Sequence, residues 1–181
     1  MRTLCCAALL LATALPASAQ QPALCTLTVD QDLQPLTSDK ETRWQAKYIA
    51  EFIQFYAGAA DKVMGNTLPI DKPDMLAMTL REPLGVVAAV VPWNSQLFLV
   101  AVKIGPALAA GNTVVLKPSE LAPSVSAMLT RIIREAFEPE HVAIFEGALQ
   151  TSQELLAKPF DHIFFTGSPA VGKLVMAAAA K

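Results

Sequence analysis

Three short polar segments in this 181-residue chain each follow an apolar, β-branched run, and they carry the residues best suited to chemistry. The first segment holds Asn94, the second holds Lys117 and Glu120, and the third holds Gly167 and Ser168. In an open parallel sheet, ligands bind outside the carboxyl ends of the strands, where these segments would lie together. Gly167 and Ser168 would also begin a helix, whose first N–H groups and dipole suit a pyrophosphate. The spacing therefore predicts one binding site at the edge of a sheet.

Two of these segments also have a purely structural interpretation. The alternative for Asn94 is a role as the N-cap of the helix that follows it. The alternative for Ser119 and Glu120 is a helix cap followed by an acid in the first turn, where it would favour the helix dipole. Each segment taken alone leaves both interpretations open.

The segments lie within a regular alternation of strand and helix patterns. The sequence predicts strands at 85–91, 113–116, 141–145 and 162–166, and helices at 97–110, 124–136, 152–157 and from residue 170 onward. Gly111 and Asn112 suit a left-handed cap at the end of the first of these helices. The first two strands are apolar throughout, as strands covered on both faces are. This pattern predicts an α/β fold, namely a truncated Rossmann-like, doubly wound parallel sheet.

A helix and a β-hairpin are expected before this sheet. Apolar residues from Trp44 to Val63 recur at three- and four-residue steps, which predicts a helix that ends near Gly65. Most of its aromatic stripe is expected to lie in the core. Short runs at 68–70 and 77–81 flank a turn-rich tetrapeptide, which predicts the hairpin.

The first 39 residues are expected to lie outside the folded region, which we place at 40–181. Residues 1–19 combine one positive charge, an apolar run and the small residues Ala17 and Ala19, which predicts a secretory signal peptide. Residues 20–39 are polar and aperiodic, which is typical of a linker or disordered arm. An exported protein would be periplasmic or secreted, and the alternative is a cytoplasmic location.

The composition excludes several classes of function. A net charge of -2 leaves no basic excess for binding nucleic acid. No apolar stretch reaches the ~18–20 residues of a membrane span. His141 and His162 have no partner at ligand spacing, so no metal site is predicted. The length suits a single domain with one core.

The order and separation of the three segments resemble the NAD(P)-dependent aldehyde dehydrogenase family. The resemblance rests on Val-Val-Pro-Trp-Asn at 90–94, Leu-Lys-Pro-Ser-Glu at 116–120 and Phe-Thr-Gly-Ser at 165–168. It implies an enzyme that oxidises aldehydes to carboxylic acids with NAD as the acceptor, NADP being possible. It also implies that the parent protein is homo-oligomeric.

The resemblance gives roles to individual residues. The Asn94 amide would stabilise the oxyanion of a tetrahedral intermediate. Lys117 and Glu120 would hold the hydroxyls of the adenosine ribose, and Glu120 would favour NAD because a 2′-phosphate would be repelled by its carboxylate. The other residues implied in cofactor binding are Pro92, Trp93, Gly167 and Ser168.

The catalytic cysteine and the general-base glutamate of the family would lie downstream of all three segments. No cysteine follows Cys25 in this sequence, which ends at Lys181. We therefore expect the chain to supply the dinucleotide-binding residues, here called the cradle, and one oxyanion donor, and to be inactive alone. The alternatives are a non-catalytic nucleotide-binding or interaction module and a non-functional mosaic fragment.

Two details depart from a uniform family pattern. Ser95 and Gln96 stand where the family usually has an aromatic residue and then a proline. The later half, with Phe-Asp-His-Ile at 160–163, resembles the coniferyl- and fatty-aldehyde branch. Residues 85–120 instead resemble the branch acting on small or betaine-type aldehydes, so the sequence favours a mosaic.

Overall fold

A computed structural model describes residues 40–180, with side chains from Trp44 onward. The predicted signal peptide and arm lie outside the described residues. Within them, the helices are α1 Lys40–Ala59, α2 Gln96–Ala109, α3 Pro123–Ala136, α4 Leu149–Leu156 and α5 Pro169–Ala179. The strands are β1 Thr67–Leu68, β2 Ala77–Met78, β3 Val86–Val90, β4 Thr113–Lys117, β5 Val142–Ile144 and β6 His162–Phe165. A short 3-10 turn, Ala60–Lys62, follows α1.

The main sheet has four parallel strands in the order β5-β4-β3-β6. The chain moves outward from β3 through β4 to β5, and then returns to place β6 on the opposite side of β3. Because parallel crossovers are right-handed, this reversal takes the later helices to the other face of the sheet. The predicted doubly wound α/β fold is therefore confirmed.

The core lies between the central strands and the helices α2 and α3. Val114 and Leu116 on β4 are almost completely inaccessible, as are Leu129 and Ile133 on α3. β4 is covered in this way because it has a hydrogen-bonded neighbour on each side and a helix above it. Its apolar sequence thus reflects a central position, as predicted.

Helix α1 packs on α2. The prediction that most of its aromatic stripe lies in the core is wrong. Among residues 44–59 of α1, the buried ones are Ala46 and Ile49. Trp44 and Phe55 are 61% and 68% exposed. The aromatic rings instead stack along one flank of α1, for example Trp44 on Tyr48 with ring centroids 5.1 Å apart. Because α1 contacts another helix and no wide sheet surface, only a narrow face of it is covered.

The predicted hairpin is present but shorter than expected. β1 and β2 have two residues each and pair in antiparallel fashion, with Thr67 opposite Met78. The elements from β3 onward begin and end within three residues of their predicted bounds. Helix α1 instead ends at Ala59, six residues before the predicted end near Gly65. Gly111 adopts the expected left-handed conformation, with φ of 83°. Of the helices described between residues 40 and 180, none is both long and apolar enough to cross a membrane.

Candidate functional site

The three polar segments leave the sheet at the same level, on three adjacent strands. Val90 at the end of β3 pairs with Lys117 on one side and with Phe165 on the other. Neighbouring strands lie about 4.8 Å apart, so the segments after β4 and β6 begin about 10 Å from each other. The chain reverses its direction of winding between β3 and β6, which is where doubly wound sheets bind ligands. The structure therefore brings the predicted site residues to one edge.

Asn94 lies in the turn between β3 and α2, and its side chain is exposed. The N-cap of α2 is Ser95, whose side chain makes no capping hydrogen bond. The N-cap interpretation of Asn94 is therefore wrong. Within residues 44–180, no hydrogen bond engages the Asn94 amide, which leaves its N–H groups for a ligand. Trp93 beside it is 60% exposed, and Pro92 is partly buried.

Lys117 and Glu120 form an ion pair at the end of β4. The Lys117 ammonium donates to the Pro118 carbonyl oxygen at 2.9 Å and to Glu120 Oε2 at 3.1 Å. The Lys117 side chain is 4% exposed, whereas that of Glu120 is 46% exposed. A hydrogen bond from its own backbone N–H is the largest effect on the Glu120 carboxyl and lowers its pKa. Burial opposes this, and the Lys117 ammonium adds to the lowering, so the pKa of Glu120 is lowered on balance. Glu120 thus presents a negative, acceptor-only group at this edge.

The helix-cap interpretation of Ser119 and Glu120 is also wrong. The N-cap of the next helix, α3, is Ala122, with no side-chain hydrogen bond. Ser119 Oγ accepts a hydrogen bond from the N–H of Leu121, one residue before that cap. The segment after β4 is therefore a separate loop with its own hydrogen bonds.

Gly167 and Ser168 connect β6 to α5. Ser168 is the N-cap of α5, and its Oγ accepts from the N–H of Val171 at 3.3 Å. A Cβ at Gly167 would lie 2.4 Å from the Phe165 ring, so only glycine fits against that ring without displacement. Pro169 has no N–H. The backbone N–H groups at this end of α5 that have no partner within the helix are therefore those of Ser168 and Ala170. These N–H groups suit an anion.

Lys103 is a residue at this edge that the sequence analysis missed. It lies on α2, is 1% exposed, and donates from Nζ to the carbonyl oxygens of Val90 and Phe164 at 2.7 and 2.6 Å. It therefore links β3 to β6 where the winding direction changes. Its nitrogen also lies 4.4 Å from the centroid of the Phe164 ring. The sequence feature that points to Lys103 is that it is the single charged residue in the apolar helix α2.

We expect Lys103 to make folding stability depend on pH. Burial lowers the pKa of Lys103 from 10.5 to about 8. Between these values the unfolded chain binds a proton that the folded chain has released, so stability rises with pH, by at most about 1.4 kcal/mol per pH unit. Below pH 8 both states are protonated and this contribution is flat. The neutral amine still has two N–H groups for Val90 and Phe164.

Urea denaturation from pH 7 to 10 measures this effect. The rise in the free energy of unfolding above pH 8 should disappear in Lys103→Met. It should persist in Lys173→Met, which removes an exposed lysine from α5. Equal pH profiles for the wild type and Lys103→Met would contradict this role.

The two histidines do not contribute to a cluster of metal ligands. Between residues 40 and 180, no group of three or more His, Cys, Asp or Glu side chains is arranged to hold a metal ion. Asp161, next to His162, accepts a hydrogen bond from the N–H of Val86 at 2.8 Å. Its carboxylate therefore fixes the beginning of β3.

Comparison with known proteins identifies the family. The model of the aldehyde dehydrogenase family matches residues 23–181, which is most of the chain. The chain belongs to the aldehyde dehydrogenase family. The match begins before α1 and includes most of the segment predicted as a linker.

Individual relatives agree with this assignment. A (Z)-2-((N-methylformamido)methylene)-5-hydroxybutyrolactone dehydrogenase from Acinetobacter baylyi is 51% identical over 140 residues, covering 76% of this chain and 29% of that protein. An NADP-dependent enzyme from E. coli superposes with a TM-score of 0.71 at 32% identity, covering 77% of this chain and 30% of that one. A glyceraldehyde-3-phosphate dehydrogenase from Methanocaldococcus jannaschii, complexed with NADP, gives 0.69 at 32% identity, with 77% and 32% covered. The chain spans less than a third of the length of these relatives.

Proposed function

We propose that this chain forms the dinucleotide-binding part of an NAD(P)-dependent aldehyde dehydrogenase and contributes the Asn94 amide as an oxyanion donor. The observation that carries the proposal is the register of the sheet. Val90, Lys117 and Phe165 lie side by side, so the Asn94, Glu120 and Ser168 segments emerge together at the switch in winding direction. A cofactor lying across this edge would reach all three segments.

The residues at the edge fit the parts of a dinucleotide. Ribose hydroxyls can donate to the Glu120 carboxylate, which is half-exposed and negative. The Lys117 ammonium uses two of its three N–H groups on Pro118 and Glu120, which leaves one for a ribose oxygen. A pyrophosphate would lie against the N-terminus of α5, where the N–H groups of Ser168 and Ala170 are not used by the helix.

The class of cofactor is supported by two observations of different kinds. The names of the E. coli enzyme and the Methanocaldococcus complex both include NADP, which supports an adenine dinucleotide. We propose a preference for NAD, because the negative Glu120 would repel a 2′-phosphate on the adenosine ribose. When bound, the nicotinamide accepts a hydride from the substrate.

In this proposal the chain's own residues bind and orient the reactants. The Asn94 amide donates a hydrogen bond where negative charge develops on the aldehyde oxygen. Lys103 holds β3 and β6 together at their ends and so fixes the distance between the Asn94 turn and the start of α5. The thiol and general base of the family reaction are supplied by other residues of the whole protein. The aldehyde is the substrate of that whole protein, and its identity is open.

Titration calorimetry with AMP tests the proposed cradle. A dissociation constant in about the millimolar range, or about -4 kcal/mol, is expected, because the adenosine half of the site is present. AMP should bind more tightly than its 2′-phosphorylated analogue. Lys117→Ala should weaken AMP binding by about 1.5–3 kcal/mol, because it removes charge-assisted hydrogen bonds and releases Glu120.

A matched lysine distinguishes this effect from a general change of charge. Lys72 is exposed in the turn between β1 and β2, so Lys72→Ala should leave AMP affinity unchanged. If AMP binds no better than inorganic phosphate, or if the two variants behave alike, the cradle does not exist as proposed.

A further inference from the structure

The side chain of Gln96 joins two of the three segments at the sheet edge. Gln96 begins α2 and is 2% exposed. Its Oε1 accepts from the backbone N–H of Ser119 at 2.7 Å, and its Nε2 donates to Ser126 Oγ at 2.9 Å. Ser126 lies on α3 and is 3% exposed. The end of the Asn94 turn is thereby bonded to the loop after β4.

The orientation of the Gln96 amide follows from its partners. The backbone N–H of Ser119 can only donate, so the amide oxygen must face it and the amide nitrogen must face Ser126. The Ser126 hydroxyl accepts from that nitrogen and donates its own hydrogen to the carbonyl oxygen of Ser119 at 2.9 Å or of Ala122 at 3.2 Å. A flipped amide would place two donors together, so the network permits one arrangement.

The network acts on the residue beside the ribose-binding carboxylate. Ser119 immediately precedes Glu120, and both its N–H and its carbonyl oxygen are within hydrogen-bond distance of side chains from other elements. On the other side, Gln96 follows Ser95, which has a left-handed conformation with φ of 51°. Such a conformation costs a non-glycine residue free energy and persists where its surroundings fix it.

We propose that Gln96 is a positioning residue for cofactor binding: it fixes Ser119, and through it Glu120, relative to the Asn94 turn. This inference rests on the proposed function of the Lys117–Glu120 segment. It explains why a polar side chain is buried at the beginning of α2, where an apolar residue could supply neither hydrogen bond. The occupant of the site is the adenosine ribose, represented in the test by AMP.

The test uses the 181-residue chain and three single variants. Gln96→Met keeps the volume and removes both hydrogen bonds, so AMP affinity should fall about fivefold or more. Gln96→Glu keeps an oxygen for the Ser119 N–H in either protonation state, so it should bind AMP within about twofold of wild type even though a buried carboxyl lowers stability. Leu129→Ala destabilises the same core away from the loop, and its AMP affinity should not change.

A second readout does not depend on nucleotide. Amide hydrogen exchange at Ser119, measured against Val114 on the preceding strand, should accelerate in Gln96→Met but not in Gln96→Glu. In the Gln96→Met and Glu120→Ala double variant, the losses of AMP affinity should be less than additive, because Gln96 acts through Glu120.

The outcomes separate this proposal from the proposed function. If the chain binds AMP and Lys117→Ala weakens it while Gln96→Met does not, Gln96 is not a positioning residue and the cradle stands. If Gln96→Glu and Leu129→Ala lose as much AMP affinity as Gln96→Met, the effect is one of stability and the proposal fails. If the wild-type chain does not bind AMP at all, the proposed function fails and the positioning role fails with it.

Discussion

In a chimaeric aldehyde dehydrogenase that carries residues 40–180 of this chain, replacing Asn94 with alanine is expected to lower kcat for aldehyde oxidation by about 10²- to 10³-fold, or about 2.7–4 kcal/mol of barrier. The Asn94 amide is exposed and free of hydrogen bonds to the described residues, so it is available to donate to the oxyanion. An interaction made mainly in the transition state changes kcat, whereas KM should change little. Asn94→Asp should be as damaging, because the carboxylate keeps the shape and loses the donor.

A chimaeric enzyme provides the setting for this measurement. Residues 40–180 of this chain would replace the matching segment of the Acinetobacter relative, which supplies the rest of the enzyme. Formation of NADH or NADPH by the unsubstituted chimaera is the reference rate. Asn66→Ala, an asparagine in the hairpin region, is the matched control and should leave kcat unchanged. Full kcat in the Asn94→Ala chimaera would contradict the oxyanion role.

Replacing Leu116 with alanine is expected to lower the free energy of unfolding by about 3–5 kcal/mol. Leu116 is 0% exposed on β4, and its neighbours on both sides are strands. A cavity at this point would lie within the cluster of buried side chains that includes Val114, Leu129 and Ile133. Since single domains unfold with only about 5–15 kcal/mol, this one change should remove a large part of the stability.

A leucine-to-alanine substitution at Leu121, five residues later, is the control for Leu116→Ala. Leu121 is 69% exposed in the loop after β4, so Leu121→Ala should change the unfolding free energy by less than about 0.5 kcal/mol. Urea or thermal denaturation of the two variants gives the comparison. Similar losses in both would mean that β4 is not the centre of the core.

Most of the fold could be predicted from the sequence because its signals are local. The apolar runs of β3 and β4 and the glycine at 111 depend on near neighbours in the chain. The alignment of Val90, Lys117 and Phe165 then follows from the general rules for parallel sheets. The sequence alone is for that reason sufficient to assign the three polar segments to one edge.

The contacts that hold this edge could not be predicted in the same way. Lys103 bonds to Phe164, 61 residues away, and Gln96 bonds to Ser119, 23 residues away. The hydrophobic periodicity of a sequence does not predict hydrogen bonds between residues so far apart in the chain. The sequence overestimates the burial of α1 for a related reason. A helical stripe shows which residues share a face, whereas the partner that covers the face determines how much of it is buried.

The most direct test of the shared site is an NMR titration of the isotope-labelled chain with AMP and then with NAD. We expect AMP to shift the amide resonances of Glu120 and Ser168 together, and NAD to shift the Asn94 segment as well, with one dissociation constant for all shifts in each titration. Shifts confined to one segment, or centred on α1 and the hairpin, would contradict the proposal that the three segments form a single dinucleotide site.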